Sequence, residues 1–372
     1  MTDMENKQKH KSYRFVWLLL LLPLALLMQQ LCKSNPQLTE SIYSRHIYPV
    51  ISAAISPIFG ILPFSAAEVI IVVLVILLLR AVIKGIMELF VTGPVVILRG
   101  LLKLAVILCT GYFLFTVMWG LNYYRLPLAT DLKLKTGKPN VTELSAVMSR
   151  EISAINALSP SINFDKSGHS FYNGGFDSMR SQVNEGYGWL AAPQTPKDRI
   201  INRVYAWPKG IFPSNLMSYT GIEGIFVPFT YEPSIDTDYP QFILPFTISH
   251  ETAHFKGFAR EDEANYLAFL ACLGNPDIYY QYSGHMNAFL YLSDALYSTD
   301  SSLWKQDVSQ LDKRAAADID FYYDYVKNHQ SKAADVASKV NDDYLKSQGQ
   351  PGIVSYDNFV NLLCDQYRTD VR

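Results

Sequence analysis

The chain has 372 residues, of which 18% are charged, and a formal net charge of −2. That balance gives no reason to expect nucleic acid as a partner, and the low charged fraction favours a membrane protein with a water-facing portion over a wholly soluble one. Apolar residues crowd into the first third, which leaves room for a membrane region and one further domain.

Lys7, Lys9, Lys11 and Arg14 precede a 17-residue apolar run at 15–31, enough to cross a bilayer at a rise of about 1.5 Å per residue. Basic-then-apolar order also describes a signal peptide, but residues 28–32 carry no small-residue cleavage pattern, so an uncleaved span is expected. A second span is expected at about 66–83, with Glu68 and Arg80 near its ends. A charge there snorkels to the interface, whereas at the bilayer centre it costs about 2.5–3.5 kcal/mol. The third, at 104–121, has no charge and leads into the aromatic cluster Trp119, Tyr123 and Tyr124. Arg80, Lys84, Arg99 and Lys103 flank the loop between spans two and three. The positive-inside rule then places the N-terminus and this loop in the cytoplasm and everything after Arg125 outside. Residues 40–64 are amphipathic and are expected along the outer surface of the membrane. Residues 1–125 thus read as a membrane region in the cytoplasmic membrane, and 126–372 as an extracytoplasmic domain.

In that domain residues 141–158 read as an amphipathic helix capped by Thr142. The segment 159–196 is rich in Gly, Ser, Asn and Pro and reads as loops, with a turn at Gly174-Gly175. Residues 199–208 and 224–229 read as strands, the second at an edge or bulge because of Pro228. Helices follow at about 245–257, 261–273, 279–297, 303–327, 335–346 and 355–367. Cys32, Cys109, Cys272 and Cys364 show no CxxC spacing, and Cys272 and Cys364 either pair or stay free.

The chemistry lies in His250-Glu251-x-x-His254. At 3.6 residues per turn the two histidines stand on one helix face, able to bind one Zn²⁺, with Glu251 beside them as a base for water. Pro245 suits the first turn of this helix and Gly257 its end. Catalytic zinc takes three protein ligands and keeps one position open. Glu261 and Glu263 compete for third ligand: they lie about 200° apart on the next helix, so only one can face the metal. Glu261 is favoured, with Asn265 one turn later as its support. The same acids also suit a helix N-terminus for dipole reasons alone.

The block Glu261-x-x-Ala264-Asn265 after this histidine pair resembles gluzincin metallopeptidases. The resemblance implies His250, His254 and Glu261 as ligands and Glu251 as general base, although the six residues between His254 and Glu261 are fewer than is usual there. The metzincin pattern fits less well, because its third-histidine position holds Arg260. The chain also resembles a family of three-span bacterial membrane proteins of unknown function. The matching features are Pro63-Phe64-Ser65, residues 224–229 (GIFVPF), 244–251 (LPFTISHE), 260–265 (REDEAN), 344–349 and 352–356. The expected class is α+β, mainly α: three N-terminal transmembrane helices and a zincin-like extracytoplasmic domain. The expected activity is peptide-bond hydrolysis by zinc-activated water. A peptide or protein substrate would lie along the edge strand at Gly224, Ile225, Phe226 and Val227, with an oxyanion donor among Tyr219, Tyr231 and His285. The competing readings are a non-catalytic zinc-binding sensor or scaffold, and a zinc amidase acting on the cell envelope. The distance of the motif from the last span disfavours an intramembrane protease.

Overall fold

The computed structural model describes residues 15–192, 201–353 and 358–370. Lys7, Lys9, Lys11 and Arg14 lie outside the described residues. The first helices are α1 (Val16–Ser34), α2 (Tyr48–Gly60), α3 (Ala66–Thr92) and α4 (Val95–Met118). Of these, α1, α3 and α4 are long and apolar enough to cross a membrane. Helices α3 and α4 run well past the expected 66–83 and start before the expected 104, taking in Lys84, Arg99 and Lys103. A backbone ladder does not stop where an apolar run stops; the turn comes at Gly93, whose positive φ of 74° suits glycine, followed by Pro94.

The chain forms two compact units: Met1–Tyr48 with Ala66–Arg125, and Pro49–Ser65 with Leu126–Arg372. In the first, α1 and α4 pair through polar groups. Gln29 donates to Thr116 Oγ1 at 3.4 Å and accepts from the Tyr112 hydroxyl at 3.1 Å. Arg125, almost fully buried, donates through Nε and Nη2 to both carboxylate oxygens of Glu40, which also accepts from Arg45. A buried guanidinium needs such a bidentate partner to offset its desolvation.

The second unit is helical apart from one small sheet. In order it contains α5 (Val141–Leu158), α6 (Gly175–Leu190), β1 (Lys209–Gly210), β2 (Gly224–Val227), β3 (Glu232–Ile235), α7 (Leu244–Phe255) and α8 (Glu261–Leu273). There follow α9 (Ile278–Thr299), α10 (Ser301–Val308), α11 (Lys313–Asn328), α12 (Lys332–Ser347) and α13 (Asn358–Asp370). The sheet order is β1-β3-β2, with β1 parallel and β2 antiparallel to β3, so β2 is at an edge. The core is built around α7, α8 and α9, whose apolar side chains are almost all buried.

Several local expectations change. The cap of α5 is Asn140, not Thr142: Asn140 Oδ1 accepts from the Glu143 amide and Glu143 accepts from the Asn140 amide, a reciprocal box. Residues 175–190 form a helix where loops were expected. Its glycines lower local propensity, but Gly186 lets two backbones meet: a Cβ there would come within 2.1 Å of the Ala271 carbonyl oxygen. Packing, not propensity, makes α6. The strand expected at 199–208 is not one. Residues 199 and 200 lie outside the described residues, and the Ala206 amide and carbonyl are both taken by the Asn184 side chain. The short strand begins only at Lys209.

Strand β3, for which no expectation was stated, contains Pro233. That proline stands opposite Phe226 at a position where the β2–β3 ladder exchanges no hydrogen bonds, so its missing N–H costs the pairing nothing. The helix expected at 303–327 is two, because Asp312 caps a new one by accepting from the Arg314 amide. Cys272 and Cys364 are both free and buried. The expected helix at 355–367 is observed as α13, and the motif at 352–356 lies partly outside the described residues.

Candidate metal centre

Helix α7 starts with Pro245 in its first turn and stops in a Schellman turn. Gly257, at φ 90°, donates to the His254 carbonyl at 2.9 Å, and the Phe258 amide reaches back to the Ala253 carbonyl at 3.0 Å. This stop also aims the Phe258 carbonyl at the His254 ring: Nδ1 lies 2.7 Å from that oxygen. A carbonyl only accepts, so Nδ1 carries the proton and Nε2 points the other way. His250 is oriented similarly. Its Nδ1 lies 2.7 Å from Asn265 Oδ1, and the amide of Asn265 is turned by donation to the Tyr291 hydroxyl at 3.3 Å.

Both Nε2 atoms face Glu261 at the start of α8. Glu261 Oε2 is 3.2 Å from His250 Nε2 and 3.4 Å from His254 Nε2, yet it satisfies no hydrogen bond there and is buried. Two imidazole lone pairs converging on a carboxylate oxygen repel one another unless a cation or proton sits among them. His250, His254 and Glu261 are all buried, with ligand atoms within 4.8 Å of one another, and could hold a metal ion. Burial alone would raise the Glu261 carboxyl, but the two imidazoles hold it far below the usual carboxylate range. Burial alone would lower His254, but Glu261, with help from Glu251 and the Phe258 carbonyl, lifts it to about 9. Both shifts state the same fact: the group attracts positive charge.

Glu263 is placed elsewhere. It accepts from the Leu128 amide at 2.8 Å and from Arg260 at 2.6 Å, tying the chain entering the second unit to α8. Asn265 occupies the supporting position behind His250. Replacing it by alanine frees that ring, and metal binding should weaken roughly 10–100-fold in a competitive chelator titration; unchanged binding would show that the amide does not orient the ligand.

Glu251 lies on α7 between the two imidazoles in sequence. Burial, reinforced by Glu261 and Glu223, raises its carboxyl against the lowering pull of His250 and His254, and its Oε2 has no hydrogen-bond partner. Strand β2 presses on it directly. A Cβ on Gly224 would come to 2.7 Å from Glu251 Cγ and 2.8 Å from Oε1, so only glycine leaves this carboxylate its place. Gly224→Ala should displace Glu251 while leaving the three metal-facing side chains alone. If Glu251 serves as a base, the expected result is full metal content with hydrolysis reduced, and wild-type turnover would remove the positioning role. Ile225 is exposed, Phe226 is buried inward, and Val227 ends the strand before Pro228.

The three candidate oxyanion donors each have packing of their own. His285 pairs with Glu151 at 2.6 Å. Tyr231 is buried in an aromatic group with Phe226 and Phe255. Tyr219 packs on His329, and its carbonyl accepts from Ser331. The residue not anticipated is Glu223, next to Gly224. Its carboxyl accepts from Thr247 on α7 at 3.1 Å and from Tyr322 on α11 at 3.4 Å, and burial raises it. A single glutamate ahead of a short strand carries no motif, so only the fold brings it here.

A family model described as a protein of unknown function, DUF3810, matches residues 43–364. The chain belongs to this family. The match takes in β2, α7 and α8, and therefore the whole metal-facing group, and begins after α1. No curated protein and no solved structure matches the chain.

Proposed function

We propose that this member of the family is a membrane-anchored zinc metallopeptidase whose second unit is a zincin-like, gluzincin-type domain. The observation that supports it is the convergence of two tautomer-fixed imidazoles and one carboxylate oxygen with no hydrogen bond among them. Two nitrogens and one oxygen form the donor set of catalytic zinc sites that keep a fourth position open. Zinc in such a set supplies Lewis acidity toward a carbonyl and toward water.

The protein's own groups do the rest. Glu251 Oε2, unpartnered and raised in affinity for a proton, takes the proton of the attacking water and returns it to the leaving amine. Asn265 and the Phe258 carbonyl hold the two rings in the required tautomer. Among the described residues strand β2 has a strand neighbour on one side only, so an extended peptide can add on the other, beside Gly224 and Glu251. The excess of Lys and Arg around the α3–α4 turn favours the second unit on the outer side of the cytoplasmic membrane. The test is to measure zinc content and hydrolysis of a peptide library with full-length wild type and Glu251→Gln. Zinc bound by a wild type that cleaves no peptide would favour the sensor or scaffold reading.

A further inference from the structure

Helix α2 has the reverse of the polarity expected of a helix on a water-facing domain. It turns Ser52 and Ser56 inward, where both are buried, and leaves Val50 and Ile58 on the other side, 69% and 61% exposed. Positions 50, 54 and 58 share one stripe at helical spacing. Ile61 and Phe64, just beyond the helix, are 74% and 51% exposed. No charged residue occurs between Ile47 and Ala67. In water a surface helix buries its apolar stripe and shows its polar one, and a contiguous apolar patch marks an interaction surface.

This segment belongs to the unit that carries the metal-facing group, and it is fastened there. Lys209, buried on β1, donates to the Gly60 carbonyl at 2.7 Å and also to the Leu62 carbonyl. The indole of Trp207 lies on the Gly60 backbone, where a Cβ would come to 2.4 Å from its Cγ. From β1 the sheet runs through β3 to β2, the strand that touches Glu251. A lysine and a sheet thus tie the outward apolar helix to the catalytic edge.

We infer that Val50, Ile58, Ile61 and Phe64 form a lipid-contacting face, by which the metal-bearing unit dips into the acyl chains of a bilayer in addition to being tethered to one. Two observations choose lipid over a protein partner. A protein interface carries hydrogen bonds and a polar rim, and the outward stripe offers no charged side chain. The segment also runs without a break into Ala66, the first residue of a helix able to span a membrane. The contact stands independently of what the metal group does.

The test uses full-length protein in vesicles of phosphatidylcholine and phosphatidylglycerol. Ile58→Cys, Ile61→Cys and Phe64→Cys each carry an environment-sensitive fluorophore. Val336→Cys, at an exposed valine on α12, serves as the water-facing reference, and the signal of the unsubstituted protein is subtracted. With nitroxide-bearing lipids, labels at 58, 61 and 64 should dim about twofold or more, as for side chains seated below the headgroups, and resist aqueous iodide, while the label at 336 does the opposite. Labels at 58, 61 and 64 that are quenched by iodide as at 336 would overturn the inference. Labels shielded from iodide yet blind to the lipid nitroxide would overturn it too, showing a protein partner or a second copy on this face.

Discussion

Glu251→Gln should abolish nearly all peptide hydrolysis while leaving zinc in place. The substitution keeps the volume of a side chain that Gly224 confines, so the fold and the metal-facing group persist. What disappears is the proton affinity of Oε2, because an amide oxygen is not a useful base at neutral pH. General-base removal costs roughly a hundred- to ten-thousand-fold in turnover. The measurement is turnover with one zinc per chain confirmed on the same sample. Activity within a few-fold of wild type would remove Glu251 from the chemistry and with it the peptidase reading.

His254→Ala should lose the metal itself. The change deletes one ligand together with the ring that the Phe258 carbonyl orients. Zinc content should fall to background in the variant, and added zinc should raise the unfolding temperature of wild type only. At a free zinc concentration about a hundred times the dissociation constant, linkage contributes about 2.7 kcal/mol. The pH dependence has a definite sign. In metal-free protein His254 is raised from 6.5 to about 9, so its stabilising charge on Glu261 is fully present below about 6.5 and is lost as pH rises through about 9. Zinc must displace that proton. Apparent affinity should therefore climb by about tenfold per pH unit up to about 9 and then level off. Equal zinc in wild type and variant, or affinity flat with pH, would overturn the assignment.

Much of this was legible from the chain. Three apolar runs announced three helices able to cross a membrane, because crossing length is a local property. The pairing of His250 with His254 was also legible, since i and i+4 share a face in any helix. The end of α7 could be placed at Gly257, because only glycine takes that positive φ cheaply. Other elements were misread where distant groups overrode local preference. Helix α6 exists because Gly186 meets the Ala271 carbonyl, and residues 201–208 are not a strand because Asn184 occupies the Ala206 backbone.

The metal-facing group divides along the same line. Spacing alone could put two imidazoles and a base on one helix face and offer two glutamates for a third position. Which glutamate arrives is a tertiary matter: the Leu128 amide and Arg260 hold Glu263 away, and Glu261 is left to face the rings. The tautomers, set by Asn265 and the Phe258 carbonyl, and the close approach of Gly224 and Glu223 to α7 have the same origin. Helix geometry repeats along the chain and can be read from it. The meeting of residues far apart in sequence depends on how the whole core packs, and only the folded structure decides it.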